Sequence, residues 1–240
     1  MILIVLLLIM PFLGTTFGAI TALFCKKEIA KSKLLIGFAT GVMIAASVWS
    51  LLIPSLELTK ASGKIEFLPA SIGFVLGIGL MIALDIFTEK QADGRGKMLF
   101  LAITVHNIPE GMAVGAAIAG FIAGADITFA AAFSISFGVA LQNIPEGAIV
   151  SLPLCDENTS RKKAFFLGTL SGTVEPIFAG VAIITYVLAT ALLPYMLSLA
   201  AGAMLYVAIK ELAPEIKDGR TGIIGFAIGF ILMMTLDVCL

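Results

Sequence analysis

Charge is scarce in this chain: only 13% of its 240 residues are Asp, Glu, Lys or Arg, about half the share of an average soluble domain. With 60% hydrophobic residues and a mean hydropathy of +1.09, too little polar surface exists to wrap a water-soluble globule. No polar stretch is long enough to hold an extramembrane domain. Cysteine is scarce as well. Cys25, Cys155 and Cys239 lie far apart without C-x-x-C spacing, which excludes a disulfide framework and a structural zinc site. The net charge of −1 gives no basis for a nucleic-acid partner. There is one histidine, His106, and one tryptophan, Trp49, which reads as an ordinary lipid- or core-facing residue. The ten methionines are scattered and read as core fillers, not as a copper track.

What the chain has in abundance is long apolar runs. A membrane crossing takes roughly 20 apolar residues, and eight such segments can be traced. They are Met1–Phe24, Leu34–Leu56, Phe67–Phe87, Met98–Ala123, Ile127–Pro153, Ala164–Leu188, Tyr195–Ile209 (extending through Pro214) and Thr221–Leu240. The first has no basic n-region and no small-x-small cleavage site, so it reads as a helix and not as a signal peptide. An all-α polytopic membrane protein with eight transmembrane helices is expected, forming a single domain over residues 1–240. Of the 15 Lys and Arg, 13 fall in the odd-numbered connections and two, Lys60 and Lys64, on the other side. The bias puts the odd loops in the cytoplasm and both termini outside.

The sequence also resembles itself. Phe12-Leu13-Gly14-Thr15-x-x-Gly18 recurs as Phe166-Leu167-Gly168-Thr169-x-x-Gly172, an offset of 154. Ile72-Gly73-Phe74-x-x-Gly77 with Met81 and Asp85 recurs as Ile224-Gly225-Phe226-x-x-Gly229 with Met233 and Asp237, an offset of 152. Gly41-x-Met43 with Pro54 is echoed by Gly202-x-Met204 with Pro214, at offsets of 161 and 160. Spans one to three (1–87) therefore match spans six to eight (164–240), around a central pair (98–153). A displacement of five helices reverses direction, so the 3+2+3 arrangement is an inverted repeat, an architecture that puts a transport site near the midplane.

The central pair carries the polar residues. His106-Asn107-Ile108-Pro109-Glu110-Gly111 in span four is echoed by Gln142-Asn143-Ile144-Pro145-Glu146-Gly147 in span five. Residues three and four apart share a helix face, so His106 and Asn107 lie above Glu110, and Gln142 and Asn143 above Glu146. Each proline frees a carbonyl one turn back. Span six adds Glu175, followed by Pro176. A charged side chain in hydrocarbon costs at least ~2.5 kcal/mol, so these acids call for a cation. Imidazole, carboxylate and amide without thiolate suit Zn²⁺, Fe²⁺ or Mn²⁺ better than Cu⁺. His106, Glu110, Gln142 and Glu146 make one candidate position. Asn107, Glu110, Asn143, Glu146 and Glu175 make an adjacent second, so two neighbouring ions are expected. Asp85 and Asp237 end equivalent helices and read as solvating those ends, with Asp85 a further candidate for guiding a cation. Two other classes compete. An intramembrane metalloprotease would use His106-x-x-x-Glu110, but its H-E-x-x-H signature needs a second histidine. A non-transporting scaffold would need only the packed glycines.

At His106–Gly111, Gln142–Gly147 and Val174-Glu175-Pro176 the chain resembles the ZIP family of divalent-metal transporters, in particular its bacterial GufA-like branch. The resemblance spans essentially the whole chain. It implies transport toward the cytoplasm of divalent transition-metal ions, Zn²⁺ first, with Fe²⁺, Mn²⁺ and Cd²⁺ as further ions. The metal is substrate, and no cofactor is expected. His106, Glu110, Gln142 and Glu146 resemble the transport site, and Asn107, Asn143 and Glu175 complete the second position. Gln142 stands where many members have His, and Asn143 where some have Asp. Ser50 and Glu57 are candidate entrance groups, while Glu211 and Glu215 are candidate exit groups that Lys210 opposes. The expected location is the plasma membrane. The partners are the ions and the bilayer, with a homodimer as an option.

Overall fold

The computed structural model describes residues 2–24, 32–61, 65, 67–88, 94–124, 127–155, 159–216 and 219–239. Cys25, Lys26, Lys27, Lys31, Lys64, Lys90 and Lys217, used above for class and orientation, lie outside them. Every element is helical. In order they are α1 (Ile2–Ala19), α2 (Thr21–Phe24), α3 (Lys33–Ala46), α4 (Ile53–Ala61), α5 (Phe67–Thr88), α6 (Gly94–Ile122), α7 (Phe129–Leu154), α8 (Arg161–Gly172), α9 (Val174–Ile184), α10 (Tyr186–Val207), α11 (Ala213–Ile216) and α12 (Arg220–Cys239). Two π-helical segments, Ser47–Leu52 and Ala208–Leu212, continue α3 into α4 and α10 into α11.

Six stretches of described residues are long and apolar enough to cross a membrane: Ile2–Phe24, Lys33–Lys60, Phe67–Ile86, Arg161–Ile184, Tyr186–Ile216 and Arg220–Cys239. The two helices that carry the repeated polar hexapeptide, α6 and α7, have 29 and 26 residues. They are not among the six, and each carries its polar hexapeptide at mid-length.

Prolines set the local departures from regularity. Pro176 has no N–H, and its ring crowds the carbonyl four residues back, at Gly172. The run expected as one span from Ala164 accordingly breaks into α8 and α9 at Thr173. In each π segment the backbone slips to an i→i+5 bond. Ile53 N–H bonds to Val48 O just before Pro54, and Ala213 N–H bonds to Ala208 O just before Pro214. The seventh run starts at Tyr186, nine residues before the expected Tyr195. The helix passes through Pro194, whose carbonyl accepts from Ser55 Oγ at 2.7 Å and Ser198 Oγ at 2.9 Å. Helix α6 likewise begins at Gly94, so the expected loop over Thr88–Lys97 is partly helical.

Four helix pairs dominate the packing: α12 on α3, α1 on α7, α10 on α5 and α9 on α6. All four are close approaches made by glycines. A Cβ added at Gly41 would collide with the Phe226 carbonyl, at Gly14 with that of Ala140, at Gly202 with that of Phe74, and at Gly111 with the backbone of Glu175. Without a hydrophobic drive between helices in lipid, such backbone contact supplies the dispersion energy of association. Large apolar side chains on α1, α5 and α12, among them Phe17, Val75 and Ile231, remain exposed, as a lipid-facing surface requires.

Candidate metal centre

Helices α6 and α7 pack directly against each other, and each carries its hexapeptide at mid-length. Glu110 is one turn from His106, and the i,i+4 spacing brings His106 Nε2 to 3.2 Å from Glu110 Oε1. From the neighbouring helix Glu146 Oε1 approaches the same ring nitrogen to 3.1 Å. Gln142, a turn before Glu146, donates its Nε2 to Glu110 Oε1 at 2.6 Å. Ligand atoms of His106, Glu110 and Glu146 all lie within 4.8 Å of one another, and the three side chains are 0–3% exposed.

The remaining candidates surround this group. Asn107 donates Nδ2 to the Ser171 carbonyl on α8 at 3.1 Å. Asn143 donates Nδ2 to the Pro11 carbonyl on α1 at 3.4 Å. Both amides spend their nitrogen on backbone, which leaves the buried Oδ1 atoms as unused acceptors. Glu175, fully buried in the first turn of α9, accepts a hydrogen bond from Thr15 Oγ1 at 2.9 Å. Its backbone presses on Gly111, next to Glu110.

The chemistry left over is that of an acceptor cage. Six buried polar atoms here have no hydrogen-bond partner among the described residues: His106 Nδ1, Asn107 Oδ1, Glu110 Oε2, Asn143 Oδ1, Glu146 Oε2 and Glu175 Oε2. Buried polar atoms are nearly always paired, and leaving one unpaired costs about 1–3 kcal/mol, more for a charged group. The five oxygens, carried on three helices, and His106 Nε2, which faces Glu110 and Glu146, are donors of the kind a divalent cation takes, while His106 Nδ1 lies on the other side of the ring.

An open cavity of about 670 Å³ leads to this group from one side. It reaches Gln142 at its base and is lined higher up by Trp49, Ser50, Glu57, Tyr186 and Asp237. On the other side of the cage Pro145, Ile149, Leu212 and Phe38 line only a small apolar cavity of about 40 Å³.

The structure thus brings His106, Glu110, Gln142 and Glu146 into direct contact, with Asn107, Asn143 and Glu175 buried around them. Glu175 is outside the compact three-residue group. Ser50 and Glu57 both line the open cavity. Asp85 is at a different place: Tyr206 donates to it at 2.9 Å and Lys210 forms an ion pair with it. Glu211 lies 4.0 Å from Lys210, and Glu215 is exposed on α11.

Two participants were not read from the sequence. Asp237, taken there as solvating a helix end, lines the cavity and accepts from Ser50 Oγ at 2.8 and 2.9 Å through its two carboxylate oxygens. Its signal was an acid near the end of the last apolar run. Thr15 is buried against Glu175, yet a lone threonine in an apolar helix announces nothing.

Residues 87–237 match the family profile described as ZIP Zinc transporter. The chain is 34% identical to the zinc transporter ZIP11 of Xenopus tropicalis, over 85% of this chain and 86% of that one. It is 35% identical to the zinc transporter GufA of Myxococcus xanthus, over 85% of each. To the zinc transporter ZIPB of Bordetella bronchiseptica it is 33% identical, over 95% of this chain and 78% of that one.

Proposed function

We propose a function from one premise: the chain belongs to the ZIP family of zinc transporters. It is an integral membrane protein that transports metal ions, and not an enzyme. Our finer reading is that it carries Zn²⁺ toward the cytoplasm across the plasma membrane, through a midplane site for two adjacent ions. Fe²⁺, Mn²⁺ and Cd²⁺ are further candidate substrates. His106, Glu110, Gln142 and Glu146 hold the transported ion. Asn107, Asn143 and Glu175, with the shared glutamates, hold the second. The observation that carries the reading is the buried group of His106, Glu110 and Glu146 with five buried oxygens around it that have no hydrogen-bond partner among the described residues.

The ion enters from the open cavity. That cavity is bordered by Glu57 and Tyr186, at helix ends remote from Lys33, Arg161 and Arg220, which start α3, α8 and α12. The positive-inside rule then makes the cavity extracellular, with both termini outside. Glu57 and Asp237 supply carboxylates to the entrance, and Ser50 holds the Asp237 carboxylate there. The apolar closure at Ile149 and Leu212 has to open for release, and Glu211 and Glu215 stand at that end.

Eight crossings in a 3+2+3 inverted repeat accompany this reading, with α6 and α7 as the two crossings whose polarity is functional. The packing supports it. Exchanging spans one, two, three and four with six, seven, eight and five turns the four dominant helix pairs into one another. Gly41 against Phe226 becomes Gly202 against Phe74, and Gly229 against Phe38 becomes Gly77 against Leu199, at the offsets of 161 and 152 read from the sequence. For spans one and six the contacts favour a different register. Gly147 against Thr15 pairs with Gly111 against Glu175, an offset of 160 in place of 154.

Uptake of Zn²⁺ by proteoliposomes is the test. Wild-type protein is expected to load them and His106→Ala to fail. A protein that moves no divalent ion, or that cleaves peptides in the same vesicles, overturns the reading.

A further inference from the structure

We propose that Thr15 is a positioning residue that fixes the Glu175 carboxylate for the second cation, so that a hydroxyl on α1 governs occupancy of that position. The inference rests on the two-ion reading above.

Thr15 is 1% exposed, at the point where α1 meets α7 and the α8–α9 kink. Gly147 lies against its carbonyl, and Gly172 against its side chain, where an added Cβ would come within 2.8 Å of Thr15 Cβ. These two glycines make the space the threonine fills. A β-branched side chain in a helix has few χ1 choices, and this packing removes more. A helical threonine ordinarily turns its hydroxyl to the carbonyl four residues back. Here that acceptor, Pro11 O, is 3.5 Å away and also receives Asn143 Nδ2. Glu175 Oε1 is at 2.9 Å. One hydroxyl proton serves one of them well, and the carboxylate is nearer and stronger.

The consequence is directional. With Oε1 held by Thr15, Glu175 is restrained from swinging, and Oε2, buried and without a hydrogen-bond partner among the described residues, is the oxygen it offers. The arrangement has a counterpart. At the offset of 160, Pro11 corresponds to Ser171, and their carbonyls orient Asn143 and Asn107 respectively. Thr15 corresponds to Glu175 itself. At the two equivalent positions one residue is the acid and the other is the donor that aims it. Outer groups that orient a ligand typically change metal affinity 10–100-fold when removed.

Zn²⁺ bound per detergent-solubilised protein, by equilibrium dialysis, tests this on Thr15→Val, which keeps the shape, and Thr15→Ser, which keeps the hydroxyl. We expect two ions on the wild type. Thr15→Val should weaken the second by at least ~10-fold and leave the first unchanged, and Thr15→Ser should restore the second. A packing role predicts the reverse, since serine loses the methyl that valine retains. Thr15→Ala carries the same expectation should the valine variant not be recovered folded. Two ions on Thr15→Val (or on Thr15→Ala in its place) with wild-type affinity overturn the role of Thr15 alone. Fewer than two on the wild type overturns the two-ion reading and this inference with it.

Discussion

Glu110 and His106 share one contact through two chemistries: the Glu110 oxygen lying 3.2 Å from His106 Nε2 also accepts Gln142 Nε2 at 2.6 Å. A cation bound between His106 and Glu110 would compete for that oxygen, and Gln142 would have to turn its amide to present oxygen instead of nitrogen. Glu146 completes the triangle at 3.1 Å. The three ionisable groups are therefore interdependent, and Glu175 stands one shell away from them.

That arrangement orders the variants. His106→Ala, Glu110→Ala and Glu146→Ala should each reduce Zn²⁺ uptake to background, since each removes a member of the compact group. Glu175→Ala should lower uptake and leave measurable flux, because the four groups His106, Glu110, Gln142 and Glu146 remain. Initial rates in sealed vesicles at matched protein level decide it. A Glu175→Ala rate indistinguishable from that of His106→Ala would mean that both positions must fill together.

The hexapeptides were legible because helical spacing alone puts His106 over Glu110 and Gln142 over Glu146, and because two copies on adjacent spans exceed what chance polarity gives. Gly41, Gly77, Gly202 and Gly229 were legible as a pattern for the same reason of repetition. What periodicity does not encode is the partner across a helix interface. Asp85 reads as an unattached acid until Lys210, 125 residues later, is folded against it. Asp237 reads as a helix end until Ser50 bonds to it. The π slips before Pro54 and Pro214 depend on which carbonyls find donors, and that is settled by geometry rather than composition.

Orientation is open to chemical labelling. In a background with Cys25, Cys155 and Cys239 replaced by serine, a cysteine at Gly94 should resist an impermeant thiol reagent in intact cells. Glu57→Cys, on the open cavity, should react. Labelling at Gly94 with protection at Glu57 would reverse the direction of transport we assign.

Glycine contacts give a stability prediction free of metal. Gly229 faces the Phe38 backbone so closely that a Cβ cannot fit without displacing α12 from α3. Gly79 has open space within 4 Å. Gly229→Ala should cost about 1–3 kcal/mol, the usual range for overpacking, and lower the melting temperature in detergent. Gly79→Ala should be neutral or slightly stabilising, since alanine is the better helix former. Equal melting temperatures for the two variants would show that α3 and α12 do not depend on that contact.

Ion preference should follow Gln142. It is 7% exposed, lies at the base of the cavity, and in this chain contributes an amide to a group that has one imidazole. Amide oxygen is a hard donor that serves Mn²⁺ about as well as Zn²⁺, whereas imidazole favours the later metal. Gln142→His puts a second imidazole beside Glu110, at a position already within 2.6 Å of its carboxylate, so no helix has to move to bring the new ligand to bear. A second nitrogen donor should raise the preference for Zn²⁺ over Mn²⁺ by about tenfold, equivalent to ~1.4 kcal/mol. Competition between the two ions for uptake into the same vesicles measures it. Tighter Zn²⁺ binding can slow release, so the ratio of the two rates, not the Zn²⁺ rate alone, carries the result. An unchanged ratio would mean that Gln142 does not touch the transported ion and that selectivity is set by His106 and the two glutamates.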